Sequence, residues 1–366
     1  MSSRLSILHT EASLGWGGQE MRVLSEAKGF IDRGHKVALA CPPESRIYKE
    51  APEWGVPALA VPIAKKRLQG LKVVVELLKS APPDVVSTHS STDTWLAAVA
   101  LLVLGWPRPL VRTRHNSAPV AKNFLSRWLY LRGTTRIVTT GEALKSELIR
   151  RNGYPEARLD SVPTGIDANR FRPGDQGAAR TALGLPADKV LVGIVARLHR
   201  WKGQRFLIEA IERLPESAGL VIVGEGPLRG ALEAEVDRRR LRHRTWFAGY
   251  QRDVVPWLQA LDIFALPSHG DEGVPQALVQ AMLTGLPCVT THVGSIAEIA
   301  MHEKTALIVP SRDAAALCAS IRRLVDDQAL RDRLGQAART HCSEKYSFEA
   351  MLDRMEMIYR QVSGKR

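Results

Sequence analysis

Cysteine is scarce in this chain of 366 residues. Only Cys41, Cys288, Cys318 and Cys342 occur, scattered and without a CxxC pair. Such spacing excludes a disulfide framework or a zinc site and reads as buried thiols in a reducing compartment. Long apolar runs are missing too. The longest, Trp95 to Trp106, has 12 residues, short of the roughly 20 that span a bilayer. The first residues turn polar too soon for a signal peptide, so a cytoplasmic protein is expected. No low-complexity tract or short-period repeat is present. Acidic charge is in deficit: 51 Lys and Arg face 38 Asp and Glu, a net charge of +13. Residues 1–169 hold 23 Lys and Arg against 15 Asp and Glu, so the excess is heavier in the first half. A basic protein favours anionic partners. No helix-turn-helix or aromatic-basic RNA motif accompanies the charge, so no nucleic acid is expected.

What is present is an alternation of strands and helices over a chain that is 45% apolar. In the first half, β-rich runs occur at Leu5–Thr10, Lys36–Cys41, Asp84–His89, Leu110–Arg114, Arg136–Thr140 and Leu159–Pro163. In the second, they occur at Val190–Val195, Leu220–Val223, Thr245–Ala248, Asp262–Leu266, Cys288–Thr291 and Ala306–Val309. Helical patterns such as Gln19–Arg33, closed by Gly34, separate them. Two such series predict an α/β protein of two doubly wound domains with parallel sheets. Pro, Gly and Asp cluster from Pro163 to Asp175, as a linker requires.

In such domains ligands bind beyond the C-terminal ends of strands, so the loops there carry the chemistry. Glu272-Gly273-Val274-Pro275-Gln276 opens an amphipathic helix. A helix start offers free N–H groups and a positive dipole end, and attracts phosphate. Pro275 suits the first helical position. The Glu272 carboxylate beside such a site reads as a ligand for a sugar hydroxyl. Arg197 follows the strand Val190–Val195, and Lys202 stands before the helix Gln204–Glu212. Two cations there can clamp a diphosphate. The glycines of Val223-Gly224-Glu225-Gly226-Pro227 can let the backbone pass over a flat base, and Tyr250 and Gln251 can present main-chain groups to it; both segments read equally as plain turns. Gly17 and Gly18 follow the first strand in a glycine-rich loop that is not a GxGxxG fingerprint. His89 and His115 close strands, where a histidine reads first as a structural hydrogen-bonder.

These pieces in this order resemble the retaining glycosyltransferases of family 4. The likeness rests on Gly17-Gly18, Arg197, Lys202-Gly203, Val223 to Pro227, Glu272 to Met282, Gly285 to Thr290, Gly294 and Glu298. It implies the GT-B fold, two Rossmann-like domains facing across a cleft. Residues 1–165 would bind acceptor and residues 166–345 the nucleotide-sugar donor. Residues 346–366 would form a helix crossing back to the first domain, with Met351, Met355 and Ile358 on one face. The resemblance makes Glu272 a ligand for donor-sugar hydroxyls and places His115 near the donor's sugar and phosphate. A second family glutamate, for the ribose hydroxyls, is replaced here by Gln280, which keeps hydrogen bonding but loses charge. Catalytic roles fall to His115, Arg197, Lys202 and Glu272. Gly17, Gly18, Gly224, Gly226, Tyr250, Gln251, Gly273, Val274, Pro275, Gln276 and Gln280 bind the donor.

The implied reaction is transfer from a UDP-sugar, with retention, to a hydroxyl of a cell-surface glycan or lipid-linked acceptor such as lipopolysaccharide core. No D-x-D triplet is present, so metal independence is expected, with no cofactor beyond the donor. Lys122, Arg127, Arg132 and Arg136 interleave with Phe124, Leu125, Trp128, Leu129 and Tyr130. That segment can lie on an anionic bilayer, which predicts peripheral association through the first domain. The same pattern fits a packed helix with a basic edge. Two other readings are a nucleotide-sugar epimerase on the same fold and a basic nucleic-acid-binding protein.

Overall fold

Residues 3–115, 118–270 and 272–365 are described by a computed structural model. They divide into two compact units, Met1–Gly165 with Glu349–Arg366, and Ile166–Phe348.

Unit 1 holds seven strands: β1 (Ser6–Thr10), β2 (Lys36–Cys41), β3 (Ala58–Ala60), β4 (Val85–Thr88), β5 (Leu110–Arg114), β6 (Arg136–Thr139) and β7 (Leu159–Ser161). They form one parallel sheet in the order β3-β2-β1-β4-β5-β6-β7. Ile7 pairs with Val37 on one side and Val85 on the other, so β1 and β4 flank the point where strand order reverses. β4 and β5 are buried throughout, as strands covered on both faces must be.

Unit 2 holds β8 (Val190–Val195), β9 (Ala218–Val223), β10 (Thr245–Gly249), β11 (Ile263–Leu266), β12 (Cys288–Thr290) and β13 (Leu307–Ile308), in the parallel order β10-β9-β8-β11-β12-β13. Its reversal lies between β8 and β11, where Ile263 pairs with Val192. Doubly wound sheets bind ligands at such a reversal, beyond the strand ends.

Several elements differ from the sequence expectation. β3, Ala58-Leu59-Ala60, is not anticipated, because it has three residues and no β-branched side chain. Pro275 is not the first helical residue. It is the extended N-cap at φ −72° and ψ 113°, and the helix runs Gln276–Leu283. The Lys122–Arg136 segment does not form one continuous amphipathic face. Phe124–Trp128 is a single short helix. Leu129 and Tyr130 are buried, Trp128 stacks on Trp95, and Arg136 begins β6 and pairs with Asp160 at 2.8 Å. Only Phe124 and Leu125 remain exposed apolar residues there.

The terminal helix, Phe348–Ser363, lies for most of its length in unit 1. It buries Met351, Leu352, Met355, Ile358 and Tyr359. All four cysteines are free and buried. Among the described residues no helix is long and apolar enough to cross a membrane.

Candidate functional site

The loops leaving β8 and β11 are held together by glycine. Gly203 has φ +77°, and a Cβ there would stand 2.0 Å from the Pro267 carbonyl oxygen. Only glycine fits on both counts. His269 N donates to the Trp201 carbonyl at 2.8 Å, which laces the two loops again. The result is that Lys202 reaches the β11 loop, where its Nζ donates to Glu272 Oε1 at 2.7 Å and Oε2 at 2.8 Å. Ser268 Oγ donates to Oε1 at 2.7 Å.

Glu272 is fixed from its other side by the loop after β12. A Cβ on Gly294, at φ +56°, would lie 2.0 Å from the Glu272 carbonyl oxygen. Ser295 N donates to that same oxygen at 2.9 Å. Ser268 and Ser295 are support that sequence reading missed. A lone serine after a strand carries no local signal, even though the partner of Ser268 is only four residues on.

Arg197 stands on the same edge, past the end of β8, and its side chain is exposed. Gln204 Nε2 holds its carbonyl at 3.0 Å, tying the loop to the helix that follows. The helix start Gly273–Gln276 follows Glu272 directly, and a Cβ on Gly273 would meet nothing within 4 Å. Gln280 sits one turn into that helix, half-buried. Val274 and Gln276 are half-buried and Pro275 is buried. One difference from expectation is chemical. Lys202 and Glu272 pair with each other, whereas Arg197 on the same edge is exposed.

The glycines of the other loops are set by packing against their neighbours. Gly224 has φ +135°, and a Cβ there would lie 2.0 Å from the Ala196 carbonyl oxygen; one on Gly226 would lie 2.4 Å from that of Leu198. On the Cβ side both glycines are packed against the β8 loop. Leu198 N donates to the Glu225 carbonyl at 2.9 Å, which closes the two loops together. Gly17 is extended at φ −175°, and a Cβ there would meet only Glu20 Oε2 at 3.8 Å, so neither strain nor crowding requires glycine. With Gly18 it opens the helix Gly18–Asp32 without a side-chain cap. Tyr250 is exposed beyond edge strand β10, and Gln251 turns back to the Ala248 carbonyl at 2.7 Å.

His115 belongs to unit 1, apart from these groups. It ends a chain of three rings: His9 Nδ1 lies 3.0 Å from His89 Nε2, and His89 Nδ1 lies 3.1 Å from His115 Nε2. Burial pushes all three below the ordinary histidine value, His89 and His115 well below it. The rings are therefore neutral, and each bond needs one N–H and one bare nitrogen. A cavity of 460 Å³ opens at this end of the sheet, bordered by Gln19, His89, Ser90, Arg112, His115 and Tyr130. Nearby, Glu11 accepts from Gln19 Nε2 at 2.6 Å and Ser13 N at 2.8 Å. Burial, then the charge of Asp93, pushes its carboxyl up to about 8. Sequence reading missed Glu11, which lies one residue past β1.

Residues 16–170 match the family model described as Glycosyltransferase Family 4, and residues 189–327 match that of Glycosyl transferases group 1. The chain belongs to the group 1 glycosyltransferases of family 4. Putative glycosyltransferase EpsF of Bacillus subtilis is 30% identical over 58% of this chain. The match spans 58% of that relative's length. A D-inositol 3-phosphate glycosyltransferase of Xylanimonas cellulosilytica is 29% identical over 77% of this chain and 73% of that protein. UDP-Gal:alpha-D-GlcNAc-diphosphoundecaprenol alpha-1,3-galactosyltransferase of Escherichia coli is 26% identical, covering 80% and 79%. Among solved structures, Anabaena Alr3699/HepE in complex with UDP superposes with a TM-score of 0.87 at 20% identity, over 98% of this chain and 100% of that one. WaaG, a glycosyltransferase involved in lipopolysaccharide biosynthesis, does so at 0.70 and 18%, over 98% and 100%. The two sheets of this glycosyltransferase are thus those of the GT-B fold.

Proposed function

We propose that this glycosyltransferase moves a sugar from a UDP-sugar to a hydroxyl of a cell-surface glycan or lipid-linked acceptor, with retention of configuration and without a metal ion. The observation that carries the proposal is the Lys202–Glu272 pair at the β8/β11 reversal, beside Arg197 and a helix start. Arg197, Lys202 and the main-chain N–H groups of Gly273, Val274 and Gln276 take the pyrophosphate, whose charge grows as the anomeric bond breaks. Glu272 holds hydroxyls of the sugar, and Gln280 those of the ribose. The bond from the anomeric carbon to the phosphate oxygen breaks, and a bond to the acceptor oxygen forms on the same face. The acceptor proton passes to the departing phosphate. His115, bordering the unit 1 cavity, is assigned to the transferred sugar.

The choice of UDP is supported by the E. coli relative, whose name specifies UDP-Gal, and agrees with the UDP-glucose in which Anabaena HepE, alike in fold, has been solved. The same relative's diphosphoundecaprenol acceptor supports a lipid-linked one here. Among the described residues no three His, Cys, Asp or Glu side chains gather as a metal site. Phe124 and Leu125, exposed among Lys122, Arg127 and Arg132, support contact with an anionic membrane face.

Incubation with a panel of nucleotide-sugars and lipid-linked or lipopolysaccharide-core acceptors tests this. The expected result is acceptor-dependent release of UDP and a glycosylated product. Lys202→Ala lowers that turnover about 10²- to 10³-fold, as loss of one charge-stabilising donor does. Isomerised nucleotide-sugar formed without acceptor would replace transfer with epimerisation.

A further inference from the structure

We infer that a relay of hydrogen bonds running from the terminal helix fixes His115 in one tautomer, with its proton on Nε2 and Nδ1 bare, so that Nδ1 accepts from a hydroxyl of the transferred sugar. Glu26, Tyr359, Ser87, His9 and His89 are then positioning residues for His115. The inference deepens the role given to His115 above and rests on it.

The order of donors starts at Glu26, on the helix Gly18–Asp32. Its carboxylate lies 3.6 Å from Arg22 Nε, and both side chains are fully buried. A carboxylate only accepts. The Tyr359 hydroxyl, 2.8 Å from Glu26 Oε1, must therefore donate to it. A hydroxyl has one proton, so the 2.8 Å contact between Tyr359 and Ser87 is made by Ser87 Oγ donating to the Tyr359 oxygen. Ser87 Oγ is left with lone pairs only toward His89 Nε2, 3.5 Å away. That contact is long and does no more than bias the ring. A bare Nε2 would face those lone pairs, whereas a protonated one meets them favourably. His89 Nε2 then donates to His9 Nδ1 at 3.0 Å. His89 Nδ1 is bare and accepts from His115 Nε2 at 3.1 Å.

The far end of the relay agrees. With Nδ1 accepting, His9 carries its proton on Nε2, a buried nitrogen without a hydrogen-bond partner. The Glu26 charge acts on His9 and favours its protonation, and Glu26 Oε2 is likewise buried without a donor. Reversing every bond would leave His9 Nε2 bare in that field and His89 Nε2 bare against Ser87. Both penalties favour the same direction, and in a chain of rings one bond dictates the next.

Burial, then the Arg22 charge, keeps His115 from gaining a second proton. Its Nδ1 takes no part in the relay, and His115 borders the cavity. A bare ring nitrogen accepts and cannot donate, so it selects an O–H group, as a sugar supplies. A phosphate oxygen has no proton to give and finds no partner there.

The test reads the tautomer directly, by nitrogen–proton correlation NMR of full-length protein with isotope-labelled histidine. The His115 signals are those lost in His115→Gln. Wild type is expected to show Nε2 protonated and Nδ1 bare. A proton on Nδ1, or exchange between the two, would overturn the inference, and this spectrum suffices should a variant fold poorly. Tyr359→Phe frees the Ser87 hydroxyl to donate to His89 Nε2. It is expected to move the His115 proton to Nδ1 and to lower kcat/KM for the UDP-sugar about tenfold, while affinity for UDP, which has no sugar to place, stays unchanged. Adding Ser87→Ala to Tyr359→Phe removes that donor and is expected to restore the tautomer and most of kcat/KM. A merely structural role predicts a further loss instead, and that result, or a wild-type tautomer in Tyr359→Phe, would overturn the relay. A reversed tautomer with unchanged kcat/KM would remove the sugar from Nδ1, and with it the role of His115 in the proposed function, and leave the relay standing.

Discussion

Gly294 decides where Glu272 stands. A methyl group on it would press into the Glu272 main chain at 2.0 Å in a left-handed conformation. Gly294→Ala is expected to cost about 1–3 kcal/mol of stability and to lower turnover more than tenfold by displacing the carboxylate. Urea unfolding and initial rates check both. Glu11 gives a pH signature. Its folded value, about 8 against an ordinary 4.5, means that the native state binds its proton more tightly than the unfolded chain. Its contribution is complete below pH 4.5 and is lost as pH rises toward 8. Wild type should therefore lose Tm relative to Glu11→Gln across that window. A constant difference would contradict the assignment. The Lys202–Glu272 pair joins two residues that sequence had singled out. Arg197, Lys202 and Glu272 each stand next to a strand end or a helix start that sequence marks with glycine and proline. Ser268, Ser295 and Glu11 carry no such mark, because a single serine or glutamate after a strand belongs to no local pattern. The glycines at 224 and 226 are required on their Cβ side by the backbone of the neighbouring loop.

At the scale of elements, the terminal helix Phe348–Ser363 completes the core of unit 1. The Tyr359 hydroxyl donates to Glu26 Oε1 at 2.8 Å and meets the Ser87 hydroxyl at 2.8 Å. Tyr359→Phe should cost about 1–3 kcal/mol by leaving those groups unpaired. Met355→Ala should cost about 2–5 kcal/mol by opening a cavity. Denaturant titration followed by circular dichroism measures both, and losses below about 0.5 kcal/mol in each would show the helix to be dispensable. The face of this helix was legible because Met351, Met355 and Ile358 keep helical spacing. The parallel strands were legible because burial on both sides makes them continuous apolar runs. β3 was not, since its place is fixed by pairing with β2 and not by its composition. The Lys122–Arg136 segment reads as able to lie on a bilayer or as a packed helix with a basic edge. Packing of Trp128, Leu129 and Tyr130 divides it.

At the scale of the molecule, the charge of +13 and the exposed Phe124 and Leu125 bear on where the enzyme works. Flotation with anionic vesicles at low salt should carry the protein, and about 0.5 M salt should release it by screening. Phe124→Asp with Leu125→Asp should weaken flotation without touching the unit 2 site. No flotation at low salt would remove the membrane proposal and leave the chemistry intact. The proposed chemistry depends on a pyrophosphate held by Arg197, Lys202 and the helix start that follows Glu272. Calorimetric titration with UDP tests it most directly. Arg197→Ala and Lys202→Ala should each weaken UDP binding about tenfold to a hundredfold, whereas wild-type affinity in both variants would contradict the account.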